Sequence, residues 1–312
     1  MTKHRIISLI PSATEIVCAL GQREQLVGRS HECDVPADVA SLPICCQPTI
    51  DINATSAEIN RQVSQRLQDA VSIFKVDRPL LADLEPTVII TQTQCDVCAV
   101  DLSEVEKTLC ETLPTNPQLV ACEPHALKNI YDDIRKIGEA IGANRQAFEL
   151  VLQLETRLMS LHKKTSLRED RPRVVCIEWI EPPMAAGNWV PELVEIAGGM
   201  NLFGSAGQHS PWLDWNVFLE SDPDVIIIVP CGFEIERTKI ELDPLLSRPG
   251  WQNLSAVKNK RVAIADGHNF FNRPGPRVVD SAEIIAEILH PGEIDCGHRG
   301  TGWIPLENLV RM

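Results

Sequence analysis

The chain has 312 residues, with 29 Lys and Arg against 43 Asp and Glu, a formal net charge of −14 and a sequence pI near 5.0. Its 44% hydrophobic and 23% charged residues exclude a disordered chain, and its length supports two lobes at roughly 100 to 200 residues each. The acidic balance excludes nucleic acid and an anionic membrane surface as expected partners, because the global field repels both.

Lys3-His4-Arg5 precedes a short apolar run, Ile6 to Ile10, and Glu15 falls where a secretory apolar segment of about 7 to 15 residues would continue. No uncharged apolar run approaches the roughly 20 residues of a membrane helix. The expected location is cytoplasmic. There the eleven cysteines are reduced thiols, and their odd number fits that better than a complete disulfide framework.

Short apolar, β-branched runs predict strands at Arg5 to Ile10, Leu26 to Arg29, Thr87 to Thr91 and Gln118 to Ala121, then at Arg173 to Ile177, Val225 to Val229 and Arg261 to Ala265. Separated by helical stretches, they predict an α/β fold with mainly parallel sheets covered on both faces. Ser12-Ala13-Thr14-Glu15 matches a capping box, so the first helix is expected to start at Ser12 and stop at Gly21. An additional helical segment is expected over about Ser56 to Phe74. A long helical pattern runs from His125 to Ser166, broken near Gly142-Ala143-Asn144, and Val278 to Leu289 forms the last long helix. The expected organisation is an N-terminal lobe over 1–124, linking helices over 125–168 and a C-terminal lobe with a glycine-rich tail over 169–312.

Arg5-Ile-Ile-Ser-Leu-Ile-Pro-Ser-Ala-Thr-Glu-Ile-Val-Cys-Ala-Leu-Gly21, followed by Leu26-Val-Gly-Arg-Ser30 and Asp34-Val-Pro36, resembles the class III substrate-binding proteins of ABC importers. So do Leu84-Glu-Pro-Thr-Val-Ile-Ile90, its counterpart Ser221-Asp-Pro-Asp-Val-Ile-Ile227, and Glu192 to Leu202. Within that family the sequence is most similar to the cobalamin-binding group. The resemblance implies two Rossmann-like lobes joined by a long backbone helix, with a small metal-containing ligand in the cleft at the strand ends. Aligning the two strand phrases puts Pro79 and Asn216 where cobalamin importers carry the glutamates that dock on the permease, which argues against that docking here.

If the strand ends face the ligand, the residues expected to contact it are Pro11, Ser12, His31, Glu32, Gln94, Glu178, Trp179, Trp189, Phe233, His268, Phe271 and Arg273. Trp179, Trp189 and Phe271 are candidates for an aromatic wall against a corrin ring, His31 or His268 for an axial ligand, and Arg273 for an anion-pairing group. Cys95 and Cys98 form a CxxC that, with Cys33 and Cys231, predicts an alternative thiolate site for zinc or an iron-sulfur cluster. Cys18, Cys110 and Cys176 read as small buried apolar residues, and Trp212, Trp215 and Trp251 as packing residues. A cysteine-dependent enzyme ranks last, since no arrangement in the sequence brings thiol, base and oxyanion hole together. The glycine-rich tail Asp295 to Trp303 is expected either to fold back as a lid carrying Trp303 or to stay loose. The leading expectation is a non-catalytic corrinoid-binding protein whose own cofactors, if any, are unassigned.

Overall fold

The computed structural model describes residues 4–69, 73–93, 113 and 115–306. In chain order the strands are β1 (Ile6–Ser8), β2 (Leu26–Ser30), β3 (Ile44–Pro48), β4 (Phe74–Val76), β5 (Val88–Gln92), β6 (Gln118–Cys122), β7 (Arg173–Trp179), β8 (Met184–Ala185), β9 (Met200–Asn201), β10 (Val225–Ile228), β11 (Val262–Ala265) and β12 (Trp303–Pro305). The described α-helices are α1 (Pro11–Ala19), α2 (Ser56–Gln68), α3 (Arg78–Leu84), α4 (Leu127–Ala140), α5 (Asn144–Thr165), α6 (Val190–Ile196), α7 (Trp215–Ser221), α8 (Ile235–Glu241), α9 (Asp243–Leu246), α10 (Ser255–Lys258) and α11 (Val278–Leu289). Two compact units result. One comprises residues 1–54, 58–124 and 128–154, the other residues 55–57, 125–127 and 155–312, so the division falls inside α5.

The first unit holds a six-stranded sheet in the order β4-β3-β2-β1-β5-β6. All its pairs are parallel except β3 with β4. Its centre, Ile6, Ile7, Val88, Ile89 and Ile90, is inaccessible to solvent, as expected for β-branched runs covered on both faces. The second unit's sheet runs β12-β11-β10-β7-β8, with β9 also on β7; β7, β9, β10 and β11 are parallel, while β8 and β12 are antiparallel edges. Its core stacks Trp251 on Trp215 at 6.4 Å and on Phe218 at 6.5 Å between ring centroids. Trp212, expected to pack, is instead exposed.

The two strand phrases mark equivalent structures. Asp77 caps α3 by accepting from the Leu80 amide, and Asp214 caps α7 by accepting from the Asn216 and Val217 amides. Each helix has seven residues and ends in a left-handed residue, Glu85 or Asp222, immediately before the proline that leads the turn into β5 or β10. Pro79 and Asn216 both occupy the second helical position, and both are exposed.

Helix α4 packs tightly on α5 within the first unit because Gly138 has no side chain: a Cβ there would stand 2.5 Å from the Ala147 Cβ. Gly138→Ala is therefore expected to lower stability by about 1 to 3 kcal/mol through overpacking, measured as a reduced midpoint in urea unfolding at constant m.

Two local expectations fail. The capping box does not form: α1 begins at Pro11 after Ile10, whose carbonyl accepts from both the amide and the hydroxyl of Thr14, while Ser12 and Glu15 are buried. Proline lacks the amide that a helix's first turn leaves free and has φ preset for N1, so it starts the helix before Ser12 can. The glycine-rich tail is neither loose nor a lid. It returns as β12 beside β11, with the Trp303 indole N–H donating to Glu287 at 2.6 Å.

Candidate functional site

In the first unit the parallel strands β1, β2, β3, β5 and β6 end along one edge, where the crossover loops leave the sheet. His31 stands immediately after β2. Its amide donates to the Cys46 carbonyl at 3.1 Å, and Arg29 clamps its loop by donating to the carbonyls of Ser30 (3.0 Å), His31 (3.2 Å) and Ala40 (2.9 Å). The imidazole lies 5.7 Å from the Phe74 ring, between centroids. Both ring nitrogens are buried and neither has a hydrogen-bond partner among the described residues; the Glu32 carboxylate is 3.8 Å away. Burial holds the His31 pKa below its usual value, outweighing the pull of Glu32. A neutral imidazole in a fixed loop is a nitrogen ligand with a free lone pair.

Thr91 lies on β5 with its hydroxyl fully buried and without a partner among the described residues. Sequence reasoning passed over both Thr91 and Phe74; the visible signal was a polar residue closing an otherwise apolar strand. At the end of β6, both carboxylate oxygens of Asp133 accept from the Glu123 amide, at 3.2 and 3.1 Å. Burial raises Asp133 to about 7. The unfolded value is near 3.9, so between those values the folded state holds a proton the unfolded chain lacks, and stability falls as pH rises through that window. Asp133→Asn keeps a carbonyl acceptor for the Glu123 amide. It is expected to raise the melting temperature at pH 8 and leave it unchanged at pH 4, as read by thermal unfolding at the two pH values.

In the second unit β7, β10 and β11 end together. Trp179 meets Phe233 at 5.5 Å with a 53° tilt, and the Arg237 guanidinium lies 4.9 Å above the opposite partner's ring centroid, that of Phe233. The Trp179 indole nitrogen is buried without a partner among the described residues, as is that of Trp189. Glu178, beside Trp179, is half-buried, and its carbonyl accepts from the Cys231 amide at 2.9 Å. The Phe233 carbonyl accepts from the amides of Gly267 (3.0 Å) and His268 (3.1 Å), which ties two strand-end loops together. Gly267 is required there, since a Cβ would stand 2.0 Å from the Pro230 carbonyl oxygen.

Several expected contacts point elsewhere. Phe271 is 2% exposed and Trp189 6%, so both are core residues and not an open wall. Arg273, also 2% exposed, donates from Nε to the His268 carbonyl at 2.9 Å, and its Nη2 lies 2.8 Å from His268 Nε2. It braces the turn, and its guanidinium occupies His268 Nε2. Cys33 is buried between the Thr14 and Ser30 hydroxyls at 3.0 and 3.3 Å, and burial raises its pKa, which keeps it a thiol. Pro11 is half-buried and Ser12 buried at the start of α1, and Cys231 is half-buried. Gln94, Cys95 and Cys98 lie outside the described residues.

One group among the described residues has metal-like spacing: Asp280, Glu283 and His298 present ligand atoms within 4.8 Å of one another. Arg157 already pairs with Asp280 at 2.8 Å and Glu283 at 2.9 Å, and His298 lies 3.1 Å from Glu283, so the negative charge is matched without a cation.

Two α/β units with binding groups at their parallel strand ends define a ligand-binding protein. The periplasmic binding protein family matches residues 6–268, and the chain belongs to it. A Bacillus subtilis protein described as an uncharacterized ABC transporter substrate-binding lipoprotein, YvrC, is 24% identical over 92% of this chain and 80% of its own. The vitamin B12-binding protein of Vibrio cholerae is 24% identical over 92% of this chain and 89% of its own. The fold is shared with the crystal structure of Staphylococcus aureus IsdE complexed with heme, at a TM-score of 0.71 and 17% identity over 93% of this chain and 100% of the other.

Proposed function

We propose that this chain binds a corrinoid or a closely related metal tetrapyrrole without chemically changing it, with His31 as the nitrogen ligand to the central metal. The observation that carries the reading is the buried His31 imidazole with both nitrogens unpartnered among the described residues, beside the Phe74 ring. Vitamin B12 and heme, named for two of the similar proteins, are both flat metal macrocycles that take an imidazole on the metal.

Calorimetric titration of the purified chain with cobinamide, hydroxocobalamin, hemin and metal-free protoporphyrin tests this. Saturable binding is expected for at least one metal complex, with the metal-free ring much weaker; equal binding with and without metal would remove the role given to His31. Because burial lowers the His31 pKa, the imidazole stays unprotonated as pH falls from 7.5 to its usual value near 6.5. Affinity is expected to hold across that interval, and a loss centred above 6.5 would contradict the assignment.

A cytoplasmic location belongs to the same proposal. Cys18, Cys33, Cys45, Cys46, Cys122, Cys176, Cys231 and Cys296 are all free thiols, which suits a reducing compartment. Among the described residues no helix is long and apolar enough to cross a membrane. Pro79 and Asn216 carry no charge, so docking on a permease through acids at these equivalent positions is not part of the reading.

A further inference from the structure

In the second unit the tail that returns as β12 is fastened to α11 through one buried carboxylate. Glu287, 3% exposed, accepts from the Cys296 amide at 2.5 Å, the His298 amide at 3.1 Å and the Trp303 indole at 2.6 Å. The His298 carbonyl accepts from the amides of Thr301 (3.2 Å) and Gly302 (2.7 Å), which closes the turn ahead of β12. Gly302 lies against α11, where a Cβ would stand 2.8 Å from the Ile284 side chain, and its carbonyl accepts from the Asp266 amide at 2.9 Å. Asp266 caps the π-helical turn Gly267–Phe271 by accepting from the Asn269 amide at 2.7 Å. The tail is thereby tied to the turn that follows β11 and carries His268.

A second fastening changes charge near neutral pH. His298 Nε2 lies 3.1 Å from a Glu283 carboxylate oxygen, and both side chains are only 17% exposed. Asp280 and Glu287 face the same imidazole from α11, and Arg157 of α5 pairs with Asp280 and Glu283. Three carboxylates against one guanidinium leave a place for an imidazolium. Arg277 lies 5.4 Å over the Phe270 ring, whose edge-on contact with His298 is 6.0 Å between centroids. On the tail itself the charges are Asp295 and Arg299, the latter lying 5.6 Å over the Trp303 ring. The hydrogen bond to Glu283 raises the His298 pKa against the opposing effect of burial, with the nearby acids adding to the rise. Losing the proton exchanges a charge-assisted hydrogen bond for at most a neutral one, while Arg157 still pairs with both acids.

We infer that the C-terminal tail is a pH-sensitive strap: the His298–Glu283 ion pair holds residues 296–305 on α11 and, through Gly302, on the turn after β11, and the strap slackens as the medium turns alkaline. A pKa raised in the folded state gives a stabilisation that is complete below about 6.5 and is lost as pH rises through the raised value. Cys296, whose thiol pKa is raised by burial and by Glu283 and Glu287, adds no opposing charge change over that interval. The inference is independent of the ligand reading.

Hydrogen exchange of the intact chain at pH 6.0 and 8.5, corrected for the intrinsic exchange rate at each pH, tests it. Amides of residues 296–305 are expected to lose protection about tenfold at the higher pH, the order of one charge-assisted hydrogen bond. Amides of β7 and β10 should keep theirs. His298→Gln, which retains a donor without the charge, should show the weaker protection at both pH values. Equal protection of the tail at the two pH values in the wild-type chain, or a pH dependence that survives in His298→Gln, would overturn the proposal. Equal loss across β7 and β10 would overturn it as well, since the strap would then only follow unfolding of the whole unit.

Discussion

His31→Ala is expected to weaken binding of the metal tetrapyrrole by roughly 100-fold, about 2.7 kcal/mol, with no loss of fold. The size follows from what is removed: a coordinate bond from a nitrogen whose desolvation the folded protein has already incurred. Neither ring nitrogen gives up a hydrogen bond to described residues when the metal binds, so little offsets the gain. The Arg29 clamp on the Ser30, His31 and Ala40 carbonyls keeps the loop in place without the side chain. Free imidazole added to the alanine variant should recover part of the metal's absorption change, an effect that lost packing alone would not produce. An unchanged affinity in the variant would show that the metal, if bound, is held from elsewhere.

The largest stability effect is expected at Trp251. Its side chain is 1% exposed and stacks against Trp215 and Phe218 in the core of the second unit. Trp251→Ala removes that ring surface and leaves a cavity, and large aromatic truncations of this kind cost about 3 to 5 kcal/mol. Trp215 is further held by its indole donating to the Pro249 carbonyl at 2.8 Å and by Arg248 lying 5.1 Å over its ring, so the neighbours have little freedom to fill the space. Urea unfolding should show a midpoint reduced by the corresponding amount at constant m, whereas a change below about 1 kcal/mol would mean that the site collapses around the missing ring.

The central strands were legible because β-branched runs bounded by Pro and Asp have few alternatives. The equivalence of α3 and α7 was legible because Leu84-Glu85-Pro86 and Ser221-Asp222-Pro223 repeat the same turn. Short or polar strands were not. Ile44–Pro48 contains two cysteines and a glutamine, Met184–Ala185 and Met200–Asn201 have two residues each, and Trp303–Pro305 follows a run of glycines. Their pairing is decided by the neighbouring strand and not by local propensity.

The candidate site was legible at the level of loops, since strand ends can be counted, but not at the level of side-chain direction. Arg273 and Phe271 read as groups facing the ligand, yet Phe271, the last residue of the π-helical turn Gly267–Phe271, and Arg273, two residues beyond it, are both buried. That Thr14, nineteen residues before Cys33, lies against its sulfur is likewise invisible in the sequence. His31 is named by its place after a predicted strand, but the Phe74 ring beside it comes from β4, which the sequence shows only as the end of an additional helical segment.

The central claim, that His31 ligates the metal of a tetrapyrrole, is most directly tested by the absorption spectrum of the intact chain during titration with hydroxocobalamin and, separately, with hemin. A saturable shift of the metal-dependent bands with one of them, absent in His31→Ala, is the predicted result. Flat titrations with both, or identical shifts in the wild-type and alanine proteins, would contradict it.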